Sequence, residues 1–464
     1  MKKWLTWIPV LCLLLLFFLT PPQVMADDDD GDSESEETET VTYLESGFLD
    51  RSKMTPLEIQ KLLDENPTDM PGEDAIYDTR PNFVPTFYEG RVRAVLLQRA
   101  AGRLSALRNL AGLPDVVIDS TLCEKSQYGA VLLGTDGVSY SEEPEQPSGM
   151  ESAFYQVALD AVQSSNLAVG VSLLDAPAAL MEDSDADNVS TVAHRRWQLY
   201  PALKKVGFGY VQSAPNYYRN YIVENVFDYS GALSDYHFIS WPASGYFPAD
   251  LFSGNTAWSV TLNPKKYTIP AQVNVTVTLK REEDGRTWIF TGNKIYTPAD
   301  SGEYMHLDKT GYGVQNAIIF RPGDVDYYAG KYTVSIRGLT DKSNNPANFS
   351  FQVEFFDLAS QSEGITSMSV SHFTDTALNV TATAYVAQPG RYLLVAAAYD
   401  PEDTIAAVSG RFANLTSERK SYSLMLEPCV NAVRVKTFLL DTKGRPTSLA
   451  MEKVIAKLES DSTE

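Results

Sequence analysis

The spacing of apolar residues divides the chain into a helical part and a strand-rich part. Over residues 87–112 the apolar positions recur every three or four residues, which is the period of a helix with one buried face. Shorter helices are predicted to begin near Thr55, Asp119, Ser148 and Asp175, whose side chains can cap a helix N-terminus. The first half of the chain is therefore predicted to be mainly helical.

Beyond residue 257 apolar and polar residues alternate, as in strands with one buried face. Clusters of glycine and proline separate these runs, and a change of composition at 359–364 divides them into two groups. We predict two independent β-sandwiches of the immunoglobulin-like kind, over residues 257–358 and 365–464. The second is expected to end in a short helix from Met451.

The N-terminus has the pattern of a cleaved signal peptide. Two lysines precede an apolar run over residues 4–19, and Val24-Met25-Ala26 forms a small-residue cleavage site. The alternative is a membrane anchor, which Pro21 and Pro22 disfavour because they interrupt the run. We expect residues 1–26 to be removed and the protein to be secreted. Residues 27–54 begin with DDDDGDSESEETET and are predicted to be an acidic, disordered linker.

The charge and the cysteines narrow the classes of partner. The formal net charge is −22, so nucleic acids and anionic membranes would repel the chain. Only Cys123 and Cys429 follow the signal peptide, and they lie in different predicted domains. We therefore expect no disulfide between them, no nucleic-acid partner and no membrane insertion once the signal peptide is removed.

One histidine stands in a distinctive local context. His194 is one of four histidines in the chain, and Arg195, Arg196 and Trp197 follow it directly. Pro201 ends this predicted short helix, and the following run VGFGY at 206–210 is predicted to be a buried strand with a close backbone neighbour. The segment would hold one imidazole on a rigid frame.

Three motifs in this region resemble those of bacterial members of the CAP superfamily. These are secreted proteins related to cysteine-rich secretory proteins, antigen 5 and plant pathogenesis-related proteins. The run AHRRWQLYP at 193–201 resembles their GHR-x-x-I-L-x-P segment, SNLA at 165–168 resembles E-N-I-A, and LRNLAGL at 107–113 resembles the end of their first helix. The resemblance implies an α-β-α sandwich around a shallow cleft, here over residues 55–256. The small number of cysteines points to a secreted, Gram-positive branch. The predicted fold class is thus α+β, a CAP-type α-β-α sandwich followed by two all-β sandwich (immunoglobulin-like) domains.

The resemblance also implies which residues line the cleft. In many members two histidines and two acidic residues there can hold a divalent metal. This chain keeps His194, has Tyr140 where the other histidine is expected, and has Ser165 in place of the first acid. The second acid would be Asp183 or Glu182. Asn166 and Arg195 complete the set of candidate cleft residues.

Three functions remain open from the sequence. The leading hypothesis is a non-catalytic binding protein whose cleft takes a small apolar or carbohydrate ligand or an extracellular protein. It needs no cofactor, although a weakly bound divalent metal is compatible with His194 and Asp183. The first alternative is a metal-assisted hydrolase that uses His194, Asp183 and His237 as a third ligand. The second is a structural surface protein, in which His194 is only a packed residue.

Overall fold

This computed structural model describes residues 41–51, 54–358, 364–374, 376–386, 389–416, 420–447 and 451–455. The predicted signal peptide, the acidic run at 27–40 and the last nine residues lie outside the described residues. Within the described ranges, no helix combines the length and the apolar character needed to cross a membrane.

Six α-helices occur in the described chain, all before residue 200. They are α1 Pro56–Asp64, α2 Ala94–Leu110, α3 Ser120–Gly134, α4 Ser152–Gln163, α5 Ala176–Leu180 and α6 Ala193–Gln198. Thr55 and Glu58 form a capping box at the start of α1, and Asp119 accepts hydrogen bonds from the first turn of α3. The prediction that Ser148 caps a helix is wrong, because α4 begins after Glu151 without a side-chain cap.

A four-stranded sheet forms the middle layer of the helical part. Its strands are ordered β4 Val117–Ile118, β6 Lys205–Val211, β7 Tyr221–Asn225 and β5 Asn166–Val169. Tyr221 and Val223 pack in a cluster with α3 and α4, whereas Ile222 packs with α2 and α5. Because neighbouring residues of a strand point to opposite faces, helices cover both sides of this sheet.

The predicted close approach at this sheet is confirmed at Gly209. A Cβ atom at Gly209 would lie 2.0 Å from the carbonyl oxygen of Ser126 in α3. Only glycine allows the helix backbone to lie so close to the strand.

A β-sandwich follows the helical part. One sheet has the order β1-β16-β15-β11-β12, with β9 also paired to β16, and the other has the order β13-β14-β10-β8. Their strands are β1 Thr42–Tyr43, β8 Phe238–Trp241, β9 Gly245–Pro248, β10 Trp258–Leu262, β11 Thr276–Arg281, β12 Thr287–Thr291, β13 Tyr304–Asp308, β14 Ala317–Arg321, β15 Gly330–Arg337 and β16 Phe349–Phe356. We call this the first sandwich. A separate two-stranded ribbon pairs β2 Tyr77–Thr79 with β3 Arg91–Val92.

The predicted boundary at residues 256 and 257 cuts through this first sandwich. Strands β8 and β9 lie before the boundary, yet β8 pairs with β10 and β9 pairs with β16. One continuous apolar core extends from α2 through the middle sheet into the sandwich. Local periodicity could not show this, because the pairing partner of a strand is a non-local property.

The end of the predicted acidic linker is also part of the first sandwich. Thr42 and Tyr43 pair in parallel with β16, and Ser46 and Arg51 are buried. The prediction of disorder to residue 54 is therefore wrong for residues 41–51.

The second sandwich has its own core. Its sheets are ordered β17-β18-β21 and β20-β19-β22-β23. The strands are β17 Gly364–Thr374, β18 Ala377–Tyr385, β19 Gly390–Tyr399, β20 Ile405–Leu415, β21 Lys420–Leu426, β22 Arg434–Leu440 and β23 Met451–Val454. The predicted helix from Met451 is wrong, because β23 pairs with β22. The predicted fold class, α+β with two all-β sandwiches after an α-β-α layer structure, is confirmed.

Candidate functional site

The residue before the helix that carries His194 has a left-handed backbone conformation. Val192 precedes α6 with φ 42° and ψ 47°, and its side chain is buried. Such a backbone is costly for a β-branched residue and occurs where packing enforces it. His194 is the second residue of α6.

Asp183 fixes the orientation of the His194 ring. One carboxylate oxygen of Asp183 lies 2.7 Å from Nδ1 of His194, and the other accepts a hydrogen bond of 2.9 Å from the backbone N–H of Arg195. Asp183 is buried and has φ 43°, so its loop holds the carboxylate in a defined place. With Nδ1 engaged, Nε2 is the ring nitrogen that a ligand in the cleft can reach.

The charges around His194 favour its protonated form. Burial lowers the pKa of His194, but the hydrogen bond and charge of Asp183, with smaller contributions from Glu224 and Asp185, raise it above the usual 6.5. The ring is therefore charged over a wider pH range than a free histidine.

A buried carboxylate lies behind the histidine. Glu224 in β7 is fully buried and accepts hydrogen bonds from Gln198 at 3.0 Å and from Asn166 at 3.2 Å. The amide of Asn166 also donates to the carbonyl oxygen of His194. Burial raises the pKa of Glu224 to about 7, although both hydrogen bonds and the charge of His194 act in the opposite direction.

Sequence reasoning missed Glu224. The available signal was a single acidic residue within the otherwise apolar run YIVEN of a predicted buried strand. The spacing to His194 gave no hint, because β7 and α6 meet only in the folded chain.

Four of the seven predicted cleft residues line one shallow cleft of about 290 Å³: Tyr140, Glu182, Asp183 and His194. Apolar residues form its other walls, among them Leu167, Val169 and Leu180. The hydroxyl of Tyr140 donates to the carbonyl oxygen of Leu167 at 2.9 Å, and its ring packs edge-on against Tyr218 at 5.9 Å.

The other three predicted residues do not line this cleft. Asn166 is buried beneath His194, and Ser165 is buried next to it in the chain. Arg195 points away, because its guanidinium donates to the carbonyl oxygens of Met181, Glu182 and Ala257. His237, the alternative third ligand, belongs instead to the first sandwich, where it contacts Tyr267 and Lys266.

The donor set of the cleft does not fit a tightly bound divalent metal. Both oxygens of Asp183 are engaged, an oxygen of Glu182 accepts from Ser253, and the hydroxyl of Tyr140 is bound to Leu167. Over the part of the chain that the structure describes, no three His, Cys, Asp or Glu side chains converge as metal ligands. We therefore derive no step through a metal.

Two consecutive arginines join the cleft to the first sandwich. Arg195 donates to the carbonyl oxygen of Ala257 at 2.6 Å and to the hydroxyl of Ser259 at 3.2 Å. Burial lowers the pKa of Arg195 to about 10, so the side chain stays charged at neutral pH.

Arg196 forms a buried ion pair with Asp308 and donates to the carbonyl oxygens of Thr310 and Val314. From the opposite side, Arg321 of the sandwich donates to the carbonyl oxygen of Ser184, next to Asp183. The loop that carries Asp183 is thus held from both sides of the contact.

Comparisons with known proteins agree with the geometry of the helical part. Residues 102–226 match the model of the cysteine-rich secretory protein family, CAP. No curated protein matches the chain.

Two of the matches among solved structures are a two-domain fibronectin type III segment of chicken tenascin and a DUF4785 family protein from Legionella pneumophila. The tenascin segment has 11% identity and a TM-score of 0.18, and the match covers 43% of this chain and 92% of that chain. The Legionella protein has 12% identity and a TM-score of 0.18, and the match covers 50% of this chain and 61% of that chain. At such scores neither match carries an argument.

The family match includes His194, the sheet that supports it and the loop that carries Asp183. The resemblance first drawn from three short motifs is therefore confirmed. Residues 102–226 form a CAP domain.

Proposed function

We propose that this protein is a secreted, non-catalytic binding protein that takes a small apolar or carbohydrate ligand, or a segment of an extracellular protein, in its CAP cleft. The single observation that carries the proposal is the set of bonds made by Asp183. Both of its oxygens hold the frame of the cleft, at His194 Nδ1 and at the backbone of Arg195. A carboxylate used in this way positions its neighbours and is not free to ligate a metal.

The cleft then offers one polar group among apolar walls. His194 is partly exposed, with 28% of its side-chain surface accessible. Leu167, Val169 and Leu180 supply apolar contact. A pocket with apolar walls and a few fixed polar groups is typical of small-ligand sites. The proposed function needs no metal or other cofactor.

Secretion is part of the proposal. It is supported by the basic residues, apolar run and small-residue cleavage site of the first 26 residues. The small number of cysteines, compared with the disulfide-rich animal and plant relatives, supports a Gram-positive source.

The alternative function is a hydrolase, and one observation favours it. A carboxylate on Nδ1 of a histidine with Nε2 facing a cleft is the arrangement by which many enzymes orient a general base. A purely structural role is the third possibility, and it predicts that no ligand contacts His194.

The test is ligand binding followed at His194. The secreted chain is screened against soluble saccharides and short fatty acids by NMR of the histidine ring signals. We expect one class to shift the His194 signals, and we expect His194→Ala to abolish binding while His306→Ala in the first sandwich leaves it unchanged. Hydrolysis of ester or amide probes that is lost in Asp183→Asn would contradict the proposal and favour the enzyme.

A further inference from the structure

The second sandwich has an apolar outer face on one of its two sheets. In the central strand β19, Leu394, Ala396 and Ala398 belong to the core of the sandwich. The residues between them point the other way, because side chains alternate along a strand. The outward positions of the three neighbouring strands include the apolar residues Leu393, Val395, Ala397, Val408, Phe412, Phe438 and Leu440, together with the cations Arg391, Arg434 and Lys436.

These side chains belong to none of the apolar core clusters of the described residues. Val408 is 58% exposed and Phe412 is 51% exposed, four of the others are partly exposed, and the small Ala397 is buried between its neighbours. We call this surface the outer apolar face. Contiguous exposed apolar surface of this kind typically marks an interaction site.

The opposite sheet of the same sandwich provides an internal comparison. Its strands β18 and β21 direct polar residues outward, and Thr381 pairs with Ser423 while Thr383 pairs with Ser421. A sheet face that meets water is expected to be polar in this way. The difference between the two faces of one domain indicates that the outer apolar face is covered by a partner.

One set of three residues that pair across neighbouring strands combines the smallest residue of the outer apolar face with one of the largest. We call this set a row. Val395 pairs with Gly410 on one side and with Phe438 on the other. A Cβ atom at Gly410 would meet side-chain atoms of Leu393 and Val395 at 3.6 Å, so Gly410 is a shallow hole between them. Phe438 is the largest side chain of the row.

This row is complementary to itself. When two such faces are stacked about a two-fold axis parallel to β19, the β20 side of one copy lies over the β22 side of the other. Phe438 of each copy then meets Gly410 of its partner, which forms the same contact twice, as a two-fold interface requires. Sheets stacked face to face interdigitate their side chains in this manner.

The charge of the face is compatible with such contact. No acidic residue occurs at the described outward positions of β19, β20 and β22, in a chain with a net charge of −22. Three cations occupy these described outward positions: Arg391 lies over the ring of Phe412 at 4.5 Å, and Arg434 and Lys436 lie over the ring of Tyr399 at 5.2 and 5.6 Å. Stacking two faces therefore buries no carboxylate, whose desolvation would be costly.

We propose that the outer apolar face is a dimerisation surface whose occupant is the same face of a second copy of this chain. Three strands form a narrow face compared with the roughly 800 Å² per partner of a standard interface, so the dimer is expected to dissociate in the micromolar range. Added salt is expected to strengthen it, because it screens the repulsion between two chains of high net charge.

The experiment is sedimentation velocity of the secreted chain between about 1 and 200 μM, with its variants at the same concentrations. We expect a monomer–dimer equilibrium in the unmodified chain and at least a tenfold weaker dimer in Gly410→Glu. Gly410→Glu places a carboxylate against the partner's Phe438 but has room for its Cβ atom. Thr381→Glu, on the polar face, is the matched control and is expected to leave the dimer unchanged.

A second measurement tests the register and does not depend on the folding of Gly410→Glu. The double variant Gly410→Cys/Phe438→Cys is expected to form a disulfide-linked dimer on mild oxidation. Within one chain these positions lie two strands apart, about 10 Å, too far for a disulfide. Neither single variant is expected to cross-link.

A chain that stays monomeric at all concentrations would overturn the proposal. So would a dimer unaffected by Gly410→Glu in a variant with a normal thermal midpoint. Cross-linking by Gly410→Cys alone would overturn the two-fold arrangement. Gly410-dependent binding to vesicles of anionic phospholipid by a monomeric chain would assign the face to a membrane surface instead.

Discussion

The two β-sandwiches differ in how they depend on the rest of the chain. The first shares a continuous apolar core with the CAP domain and receives three of its strands, β1, β8 and β9, from residues before the predicted boundary. The second has its own core, formed by residues of 365–455. The same alternating pattern along the sequence has thus produced one module that is fused to its neighbour and one that is self-contained.

The contact between the CAP domain and the first sandwich, which we call the fused contact, also determines the geometry of the candidate site. Arg195 and Arg196 directly follow His194, and both reach into the first sandwich. Because Arg195 also holds the loop that carries Asp183, a change in the sandwich is expected to reach the cleft. The first sandwich therefore helps to hold the candidate site in place, which a detached spacer would not do.

The largest expected effect is a difference in thermal unfolding between the two sandwiches when each is expressed as a separate fragment. A fragment of residues 257–358 lacks β8, β9 and β1, so we expect it to lack a sharp thermal transition. A fragment of residues 365–464 keeps both of its sheets and is expected to unfold cooperatively. Circular dichroism during heating and amide exchange measure both. A cooperative transition in the first fragment would show that its contacts with the CAP domain are dispensable.

The next effect concerns the buried ion pair at the fused contact. Arg196→Met leaves Asp308 buried without its partner, and we expect a loss of about 3–5 kcal/mol in the free energy of unfolding. Arg196→Met/Asp308→Leu should recover part of this loss, because it removes both charges.

Urea unfolding followed by tryptophan fluorescence reports on the CAP domain and the first sandwich together, since all tryptophans lie outside the second sandwich. Arg337→Met, at an exposed position of β15 in the first sandwich, serves as the control and should change stability by less than about 0.5 kcal/mol. Equal effects of the two substitutions would show that the buried ion pair does not stabilise the contact between the CAP domain and the first sandwich.

A third effect is a dependence of stability on pH that arises from a residue of the CAP domain. Glu224 has a folded pKa of about 7, above its usual 4.5, so its contribution to stability is complete below pH 4.5 and is lost as the pH rises through 7. The loss is on the order of 3 kcal/mol at about 1.4 kcal/mol per pKa unit. His194 acts in the same direction, since its pKa is also raised.

We expect Glu224→Gln to remove most of this loss, so that the variant exceeds the unmodified chain in stability at pH 9 but not at pH 5. Urea unfolding at the two pH values measures it, with Glu124→Gln on the surface of α3 as the control. If Glu224→Gln and the unmodified chain lose the same amount of stability between pH 5 and pH 9, Glu224 is not the buried acid responsible.

The smallest effect concerns the orientation of His194. Asp183→Asn removes the charge that raises the pKa of His194 and leaves the burial that lowers it, so this pKa should fall below 6.5. Stability should fall by only about 1 kcal/mol, because asparagine can keep one of the two hydrogen bonds. NMR titration of the ring measures the pKa, and Asp185→Asn should shift it less. An unchanged pKa would show that Asp183 does not control the imidazole.

Sequence alone determined what depends on neighbours along the chain. The capped starts of α1 and α3, the glycine at the contact between α3 and β6 and the alternation of the strands all follow from local spacing. The motif around His194 identified the CAP domain, and Asp183 and Tyr140 were placed in the cleft by that resemblance.

Only the tertiary structure decided which distant residues meet. Glu224 lies under His194, Arg196 pairs with Asp308, and β8 joins β10 across the predicted boundary. In the second sandwich the outward side of β19 is apolar, which alternation alone could not assign to core or surface. The physical reason is the same in each case. Burial and strand pairing depend on contacts between residues remote in sequence. Periodicity shows which residues share one face of a helix or strand, but not what that face contacts.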